Sequence, residues 1–288
     1  MKDFTNKVAA ITGAGSGIGR ALALALAERG AHLALSDVNE SGLRQTAEAA
    51  RARGVRVTEA KVDVADRAAV YAWAAAVVKD HGRVNLIVNN AGVALASTVE
   101  GLDYADFEWI VGINFWGVVY GTKAFLPYLK ASGDGHVVNI SSVFGLFAQP
   151  GQSAYNSTKF AVRGFTEALR QELELQQWPV SATSVHPGGI KTNIVRASRF
   201  SASMQNLMNE DEQVSKARFE GVLMTTAEEA ARVILRGVEK NKRRVLIGPD
   251  ARVFDVVQRL FPSGYQRVVS ALLRLRRGRR AVPRTAGS

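Results

Sequence analysis

Lys7-Val-Ala-Ala-Ile-Thr12-Gly13-Ala14-Gly15-Ser16-Gly17-Ile18-Gly19 is the stretch on which the fold turns. A short apolar run stops at Gly13, and residues 18–29 are then rich in Ala, Leu, Glu and Arg, a helical composition. Strand, glycine turn and helix in that order give a glycine pattern its phosphate-binding meaning. Bare backbone can approach a pyrophosphate, whose charge is met by the free N–H groups of the helix N-terminus. The glycines stand at 13, 17 and 19, a Gly-x-x-x-Gly-x-Gly spacing rather than the more widespread Gly-x-Gly-x-x-Gly.

The next apolar run, His32-Leu-Ala-Leu-Ser36, ends at Asp37. An acid there accepts hydrogen bonds from the adenosine ribose hydroxyls and repels a 2′-phosphate. Neither position 38 nor 39 is Lys or Arg, and Ala14 adds no charge to the turn, so NAD is expected over NADP. Asp37 also reads as the N-cap of a helix over 41–53. A charged amphipathic helix over 39–53, a strand at 55–61, a helix from 65 to about His81, and a strand and turn at 86–92 follow. His81, just before Gly82, reads as a helix-end cap. Strands alternating with helices at this interval build parallel βαβ units with right-handed crossovers. The expected class is α/β, a Rossmann-like doubly wound parallel sheet of about seven strands.

In the second half, His136-Val-Val-Asn-Ile140 reads as a buried strand that ends at Ser141 and Ser142. Tyr155 and Lys159 stand four apart at the start of a helix to Glu174, which puts them on one face with Cβ atoms roughly 5–6 Å apart. An ammonium that close favours phenolate and should draw the phenol pKa down from about 10 toward neutrality. Tyr155 then suits proton exchange with a carbonyl/alcohol pair. A Ser142 hydroxyl at the carboxyl end of a central strand can hydrogen-bond the same oxygen. Residues 107–129 read as two helical stretches with Asn114 a buried polar group between them. Val143-Phe-Gly-Leu-Phe-Ala148 is apolar and is expected to line the pocket, with Leu95 and Ala96 opposite, favouring a lipophilic alcohol or ketone over a sugar.

Thr12-Gly-Ala-Gly-Ser-Gly-Ile-Gly19, Asn89-Asn-Ala-Gly92, Asn114, Ser142, Tyr155 with Lys159, and Pro187-Gly188 fall in a familiar order and spacing. Over about residues 5–250 the chain resembles the short-chain dehydrogenase/reductase superfamily. The resemblance implies that Tyr155 is the acid/base and that Lys159 lowers its pKa and holds the ribose. It implies that Ser142 anchors the carbonyl, leaving Ser141 structural, and that Asn114 holds a water extending a proton path from Lys159. It places Ser16 and Ile18 at the cofactor with Gly13, Gly17 and Gly19, Asp63 and Val64 at the adenine, and Asn90 and Gly92 beside them. The Ile190 backbone and the Thr192 hydroxyl would bind the carboxamide. Residues 193–224 would form a substrate lid, and helices 107–129 and 155–174 the apolar bundle of a homodimer or homotetramer. His186 reads as a strand-end residue, because Tyr155 already supplies the acid/base.

With 47% hydrophobic residues, the 288-residue chain can bury a full core over residues 1–250. Zero cysteines exclude disulfides, thiolate metal sites and a cysteine nucleophile, and suit a reducing, cytoplasmic setting; no metal is expected. The leading Met-Lys-Asp-Phe-Thr-Asn-Lys lacks the apolar region of a signal peptide, and there is no apolar run of 18 residues. The net charge of +11 is concentrated: residues 236–288 hold 14 Lys/Arg against 3 Asp/Glu, leaving 23 of each in residues 1–235. In the extension 251–288, Val253, Phe254, Val257, Leu260 and Phe261 recur at helical spacing. After a Pro-Ser-Gly break come Val268, Val269, Leu272, Leu273 and Leu275, among Arg267, Arg274, Arg276, Arg277, Arg279 and Arg280. Such a basic amphipathic end suits an anionic membrane surface or a neighbouring subunit. Sparse aromatics and the lack of a reading motif argue against nucleic acid.

The expected activity is hydride transfer between NAD and a lipophilic secondary alcohol or ketone. The alternatives are an NADP-dependent ketoreductase of acyl chains on an acidic carrier protein, and a dinucleotide-binding protein without turnover. The intact Asn/Ser/Tyr/Lys set favours the enzyme.

Overall fold

The first strand shows how the sheet is made. Val8 and Ala10 project to one face and Ala9 and Ile11 to the other, the period-two alternation of a strand. All five residues of β1 (Val8–Thr12) are buried, so both faces must be covered. Ala9 and Ile11 join a cluster with Leu22, Leu26, Ala47, Ile234 and Leu235. Val8 and Ala10 join one with Trp73, Phe125, Leu129, Leu169 and Leu173 on the opposite side.

The computed structural model describes residues 1–278, with side chains as far as Leu275; the Arg276 and Arg277 side chains, Arg279 and Arg280 lie outside that description. After β1 come α1 (Gly17–Ala27), β2 (His32–Asp37), α2 (Glu40–Arg51), β3 (Val57–Lys61), α3 (Arg67–His81), β4 (Leu86–Asn89) and β5 (Leu95–Ala96). Next are α4 (Tyr104–Val111), α5 (Gly117–Ala131), β6 (Gly135–Ile140), α6 (Ser153–Leu175), β7 (Val180–Pro187) and β8 (Arg199–Phe200). The chain continues through α7 (Ala202–Met208), α8 (Glu212–Gly221), α9 (Ala227–Glu239), β9 (Arg244–Ile247), α10 (Pro249–Leu260) and α11 (Gly264–Gly278).

Seven strands form one parallel sheet in the order β3-β2-β1-β4-β6-β7-β9, the expected doubly wound α/β architecture. The strand order reverses beside β1 and β4, and the crevice outside the carboxyl ends there is where such sheets place their ligands. Two buried asparagines fix the register behind it. Asn89 Nδ2 donates to Asn139 Oδ1 at 2.8 Å across β4 and β6, and Asn139 Nδ2 to the Thr166 hydroxyl of α6 at 3.0 Å.

One region differs from the sequence expectation. Residues 107–129 are not two helices with a gap: α4 runs into a π-helical turn, Gly112–Trp116, and then into α5. The Gly117 N–H reaches back five residues to the Gly112 carbonyl, a widened turn with no signature in composition. The extension's first part, α10, also packs on the domain, a contact that the sequence reading did not specify. Ala251 and Asp255 are buried, and Arg244 Nη1 meets Asp255 Oδ1 at 3.2 Å. The region expected as a lid folds as α7, α8 and a short parallel pair between β5 and β8. No helix among the described residues is long and apolar enough to cross a membrane.

Candidate active site

The glycine turn is shaped by backbone alone. Gly13 and Gly17 hold φ of +66° and +52°, which a residue with a Cβ rarely adopts, and a Cβ on Gly19 would collide with the Gly13 carbonyl oxygen. Asp37 closes this turn from β2: its Oδ2 accepts the Gly15 N–H at 2.8 Å and its Oδ1 the Asn39 N–H at 2.9 Å. It is not the cap of α2, as the sequence allowed; Asn39 is, accepting the Gly42 N–H at 3.2 Å. Asp37 is thus held at the strand end, where each carboxylate oxygen keeps a lone pair for a further donor. Ser16, extended and exposed, opens α1 without capping it, and Ile18 is half-buried behind it.

The neighbouring loops converge on the turn. The Asn90 amide donates to the carbonyls of Thr12 (2.9 Å) and Gly13 (3.1 Å), tying the turn after β4 to the one after β1. Asp63 is exposed after β3, its Oδ1 accepting the Ala65 N–H at 2.9 Å, and Val64 is buried against Gly117. Ile190 is buried and bridges to Thr225, while the Thr192 methyl lies against Gly17. A polar, backbone-lined cradle with an acid at its far end fits the two phosphates and ribose of a dinucleotide.

The candidate reacting groups stand where β6 and α6 meet. Tyr155, Lys159 and Ser142 are all buried. The Lys159 ammonium donates to the Ile140 carbonyl at 3.1 Å and lies 5.6 Å from the centre of the Tyr155 ring. The two adjacent serines have different partners: Ser141 donates to the Lys159 carbonyl at 2.7 Å, whereas Ser142 accepts the Phe144 N–H at 3.1 Å. Asn114, in the π turn, donates to Val93 O (2.9 Å) and the Thr158 hydroxyl (3.3 Å) and accepts the Val93 N–H at 2.8 Å. Both its donors are therefore committed, and it clamps the Gly92–Val93 turn to α6. Asn114 Oδ1 and Lys159 Nζ both approach the flank of Gly92.

The electrostatics correct one expectation. Burial raises the Tyr155 pKa above its usual value, and the neighbouring Ser142 hydroxyl only partly opposes this. The same burial acts on the ammonium, whose desolvation brings the Lys159 pKa down to about 8. The phenol therefore keeps its proton at neutral pH. His186 is buried and, through burial, neutral with a pKa of about 4. Its Nδ1–H donates to the Ser142 carbonyl at 2.9 Å, since a carbonyl can only accept, and its Nε2 receives the Ser184 hydroxyl at 2.9 Å. It steadies the backbone of the serine from behind.

The apolar wall is only partly as expected. Phe144 meets Tyr155 edge to face at 6.2 Å, and Leu95 packs in the same cluster. Phe147 turns away from the phenol onto Phe254 (4.6 Å) and Tyr265 (4.4 Å) of the C-terminal helices. The Tyr265 hydroxyl accepts the Ala148 N–H at 3.1 Å, and Asp250 Oδ2 the Gly189 N–H at 2.6 Å. These three residues were not read from the sequence as part of the site. The only signal was the helical spacing of apolar residues in 253–275, which cannot say what its inner face meets.

A doubly wound parallel sheet carrying a Ser, Tyr and Lys at the switch-point crevice defines a dehydrogenase-type nucleotide fold. The sequence profile of the short chain dehydrogenase family matches residues 7–202, and the chain belongs to that family, as an oxidoreductase. It is 52% identical over 272 residues to the Mycobacterium tuberculosis oxidoreductase SadH, covering 94% of this chain and 96% of that one. A short-chain dehydrogenase/reductase from Burkholderia phymatum, solved in complex with NAD, superposes with a TM-score of 0.83 at 30% identity, over 92% of this chain and 97% of that one. Levodione reductase superposes with a TM-score of 0.75 at 32% identity, over 86% and 99%.

Proposed function

We propose that this oxidoreductase is NAD-dependent and interconverts a lipophilic secondary alcohol and its ketone. The observation that carries the reading is the buried cluster of Ser142, Tyr155 and Lys159, with the ammonium 5.6 Å from the centre of the phenol ring and Phe144 beside it. Ser142 and the Tyr155 Oη hold the substrate oxygen between them. In reduction the phenol gives its proton to that oxygen; in oxidation the phenolate takes it back. NAD, when bound, supplies the hydride carrier. Gly13, Ser16, Gly17, Ile18 and Gly19 would hold its phosphates, Asp37 the adenosine ribose, and Asp63 and Val64 the adenine. Asn90 and Gly92 would border it, Lys159 would hold the second ribose, and Ile190 and Thr192 the carboxamide.

Asp37 presents negative charge where NADP carries its extra phosphate, which supports NAD. Lys159 carries positive charge at neutral pH and stabilises the phenolate as it forms. Asn114 positions the catalytic helix, and its second Oδ1 lone pair can receive a water on the side that Lys159 also faces. The test is the absorbance of reduced nicotinamide during incubation with a graded series of secondary alcohols and NAD. Turnover that rises with chain length supports the reading, and turnover with NADP alone ends it. We also propose a homo-oligomer, because Trp116, stacked on Tyr120 at 5.6 Å, is 45% exposed and Phe160 is exposed on α6. Light scattering that gives the mass of one chain at every concentration would reject it.

A further inference from the structure

The α10–α11 pair has two faces, and the domain uses one. Phe254 and Tyr265 turn inward onto Phe147. Val253, Val256 and Leu260 turn outward from α10, and Val268, Leu272 and Leu275 from α11, all six between 53% and 67% exposed. Each triplet spans eight positions at three- and four-residue steps, so each lies along one side of its helix. Scattered exposed apolar residues need no explanation, but a run of them on two successive helices marks an interaction surface.

The charge around this stripe has one sign. Arg252, Arg259, Arg267 and Arg274 are exposed on the same two helices. Asp250 and Asp255 are the only carboxylates of 249–278, and both are engaged, on the Gly189 N–H and on Arg244 and Arg259. The chain's entire excess positive charge falls within 236–288, while residues 1–235 balance.

We propose that the outer face of α10–α11 docks on the surface of an anionic lipid bilayer. Apolar side chains that point one way can enter the boundary between headgroups and acyl chains. Arginines beside them keep their stems in the apolar layer and their guanidinium groups among the phosphates. A second copy of the same face is the poorer occupant, because a symmetric contact would set arginines against arginines. The inference stands on the exposed stripe and the charge, and does not depend on the cofactor or substrate assigned above. Its consequence is geometric: the helices that would meet the bilayer are those that hold the Phe147 segment, so docking brings the substrate side of the cleft to the membrane.

The test is co-sedimentation of the full chain with phosphatidylglycerol-containing vesicles and with pure phosphatidylcholine vesicles, at low and high salt. Binding is expected to the anionic vesicles only, and to fall away near molar salt, where screening shortens to about 3 Å. The pair Arg267→Gln with Arg274→Gln should weaken partitioning about 25-fold, roughly fivefold for each charge. The exposed pair Leu272→Ser with Leu275→Ser should weaken it tenfold or more while leaving the thermal melt in place. Equal binding to both vesicle types, or none at low salt, overturns the proposal. It is equally overturned if the leucine pair lowers the mass in light scattering and leaves vesicle binding unchanged, since a second copy would then be the occupant.

Discussion

The two sides of the cleft are built by different means. On the cofactor side, the Gly15 N–H bonds to Asp37 and the Asn90 amide to Thr12 and Gly13, so backbone groups close to short turns set the shape. On the substrate side, Phe147 is set by two aromatic rings, and Ala148 by a hydroxyl 117 residues further along the chain. The first is a matter of dihedral angles and N–H groups, which tolerate few residue types. The second is side-chain packing, which many apolar residues satisfy. A family can therefore keep its cofactor side while the other changes with the substrate.

The sharpest way to break this division is at the phenol between the two sides. Tyr155→Phe removes only the titrating oxygen, so dinucleotide binding, measured by fluorescence titration, should persist. Turnover should fall about 10²–10⁴-fold or more, the usual weight of a positioned acid/base. A variant with near-normal turnover would remove Tyr155 from the mechanism. Next in size is Asp37→Ala, which touches the cofactor side alone. Losing two charge-assisted hydrogen bonds should lower kcat/KM with NAD by roughly 10²- to 10⁴-fold and raise the relative use of NADP. If the unaltered enzyme already works better with NADP, the ribose argument is wrong.

Legibility follows the same division. The strand–turn–helix at Lys7–Gly19, the acid at Asp37 and the Tyr155/Lys159 pair could be read because each is a short pattern with a local physical meaning. The sheet followed from alternating strands and helices, and β1 alternates faces as its sequence requires. What could not be read was non-local or depended on burial. The π turn at Gly112–Trp116 is one added residue in a helical run. The Tyr155 pKa is another, because spacing reveals the ammonium but not the desolvation that raises the phenol and lowers Lys159 to about 8. The inward face of 253–275 was visible as apolar spacing, yet its partner Phe147 was not.

A smaller effect tests how rigidly the substrate side is supported from below. His136 on β6 and His186 on β7 are buried, with pKa values brought by desolvation to about 3 and about 4. Unfolded histidine binds its proton near pH 6.5, so the unfolded chain gains protons first as pH falls. Stability that is intact above pH 6.5 should decline below it, and this loss should level off only as the folded-state values are reached. Two such groups amount to about 2–3 kcal/mol per pH unit between pH 6 and 4.5. Urea unfolding of the enzyme and of His136→Gln at pH 7 and 5 measures it. If the two lose equal stability on acidification, the assignment to His136 fails.

The smallest effect is the most informative about the C-terminal helices. Tyr265→Phe keeps the ring against Phe147 and removes only the oxygen that accepts the Ala148 N–H. One neutral hydrogen bond contributes about 0.5–1.5 kcal/mol, a factor of roughly 2–10. That loss should appear as a rise in KM for the apolar substrate, because the bond fixes the segment between Ser142 and Tyr155 and touches neither reacting group. kcat and NAD affinity should stay within about twofold. Tyr265→Ala also removes the ring and opens a cavity beside Phe147, at a cost of about 3–5 kcal/mol of stability if the site does not collapse. The split between KM and kcat separates a wall that positions substrate from one that merely holds the fold together. If both variants keep KM while the melt falls, the C-terminal helices are scaffolding and substrate selection lies elsewhere, in the 193–224 region.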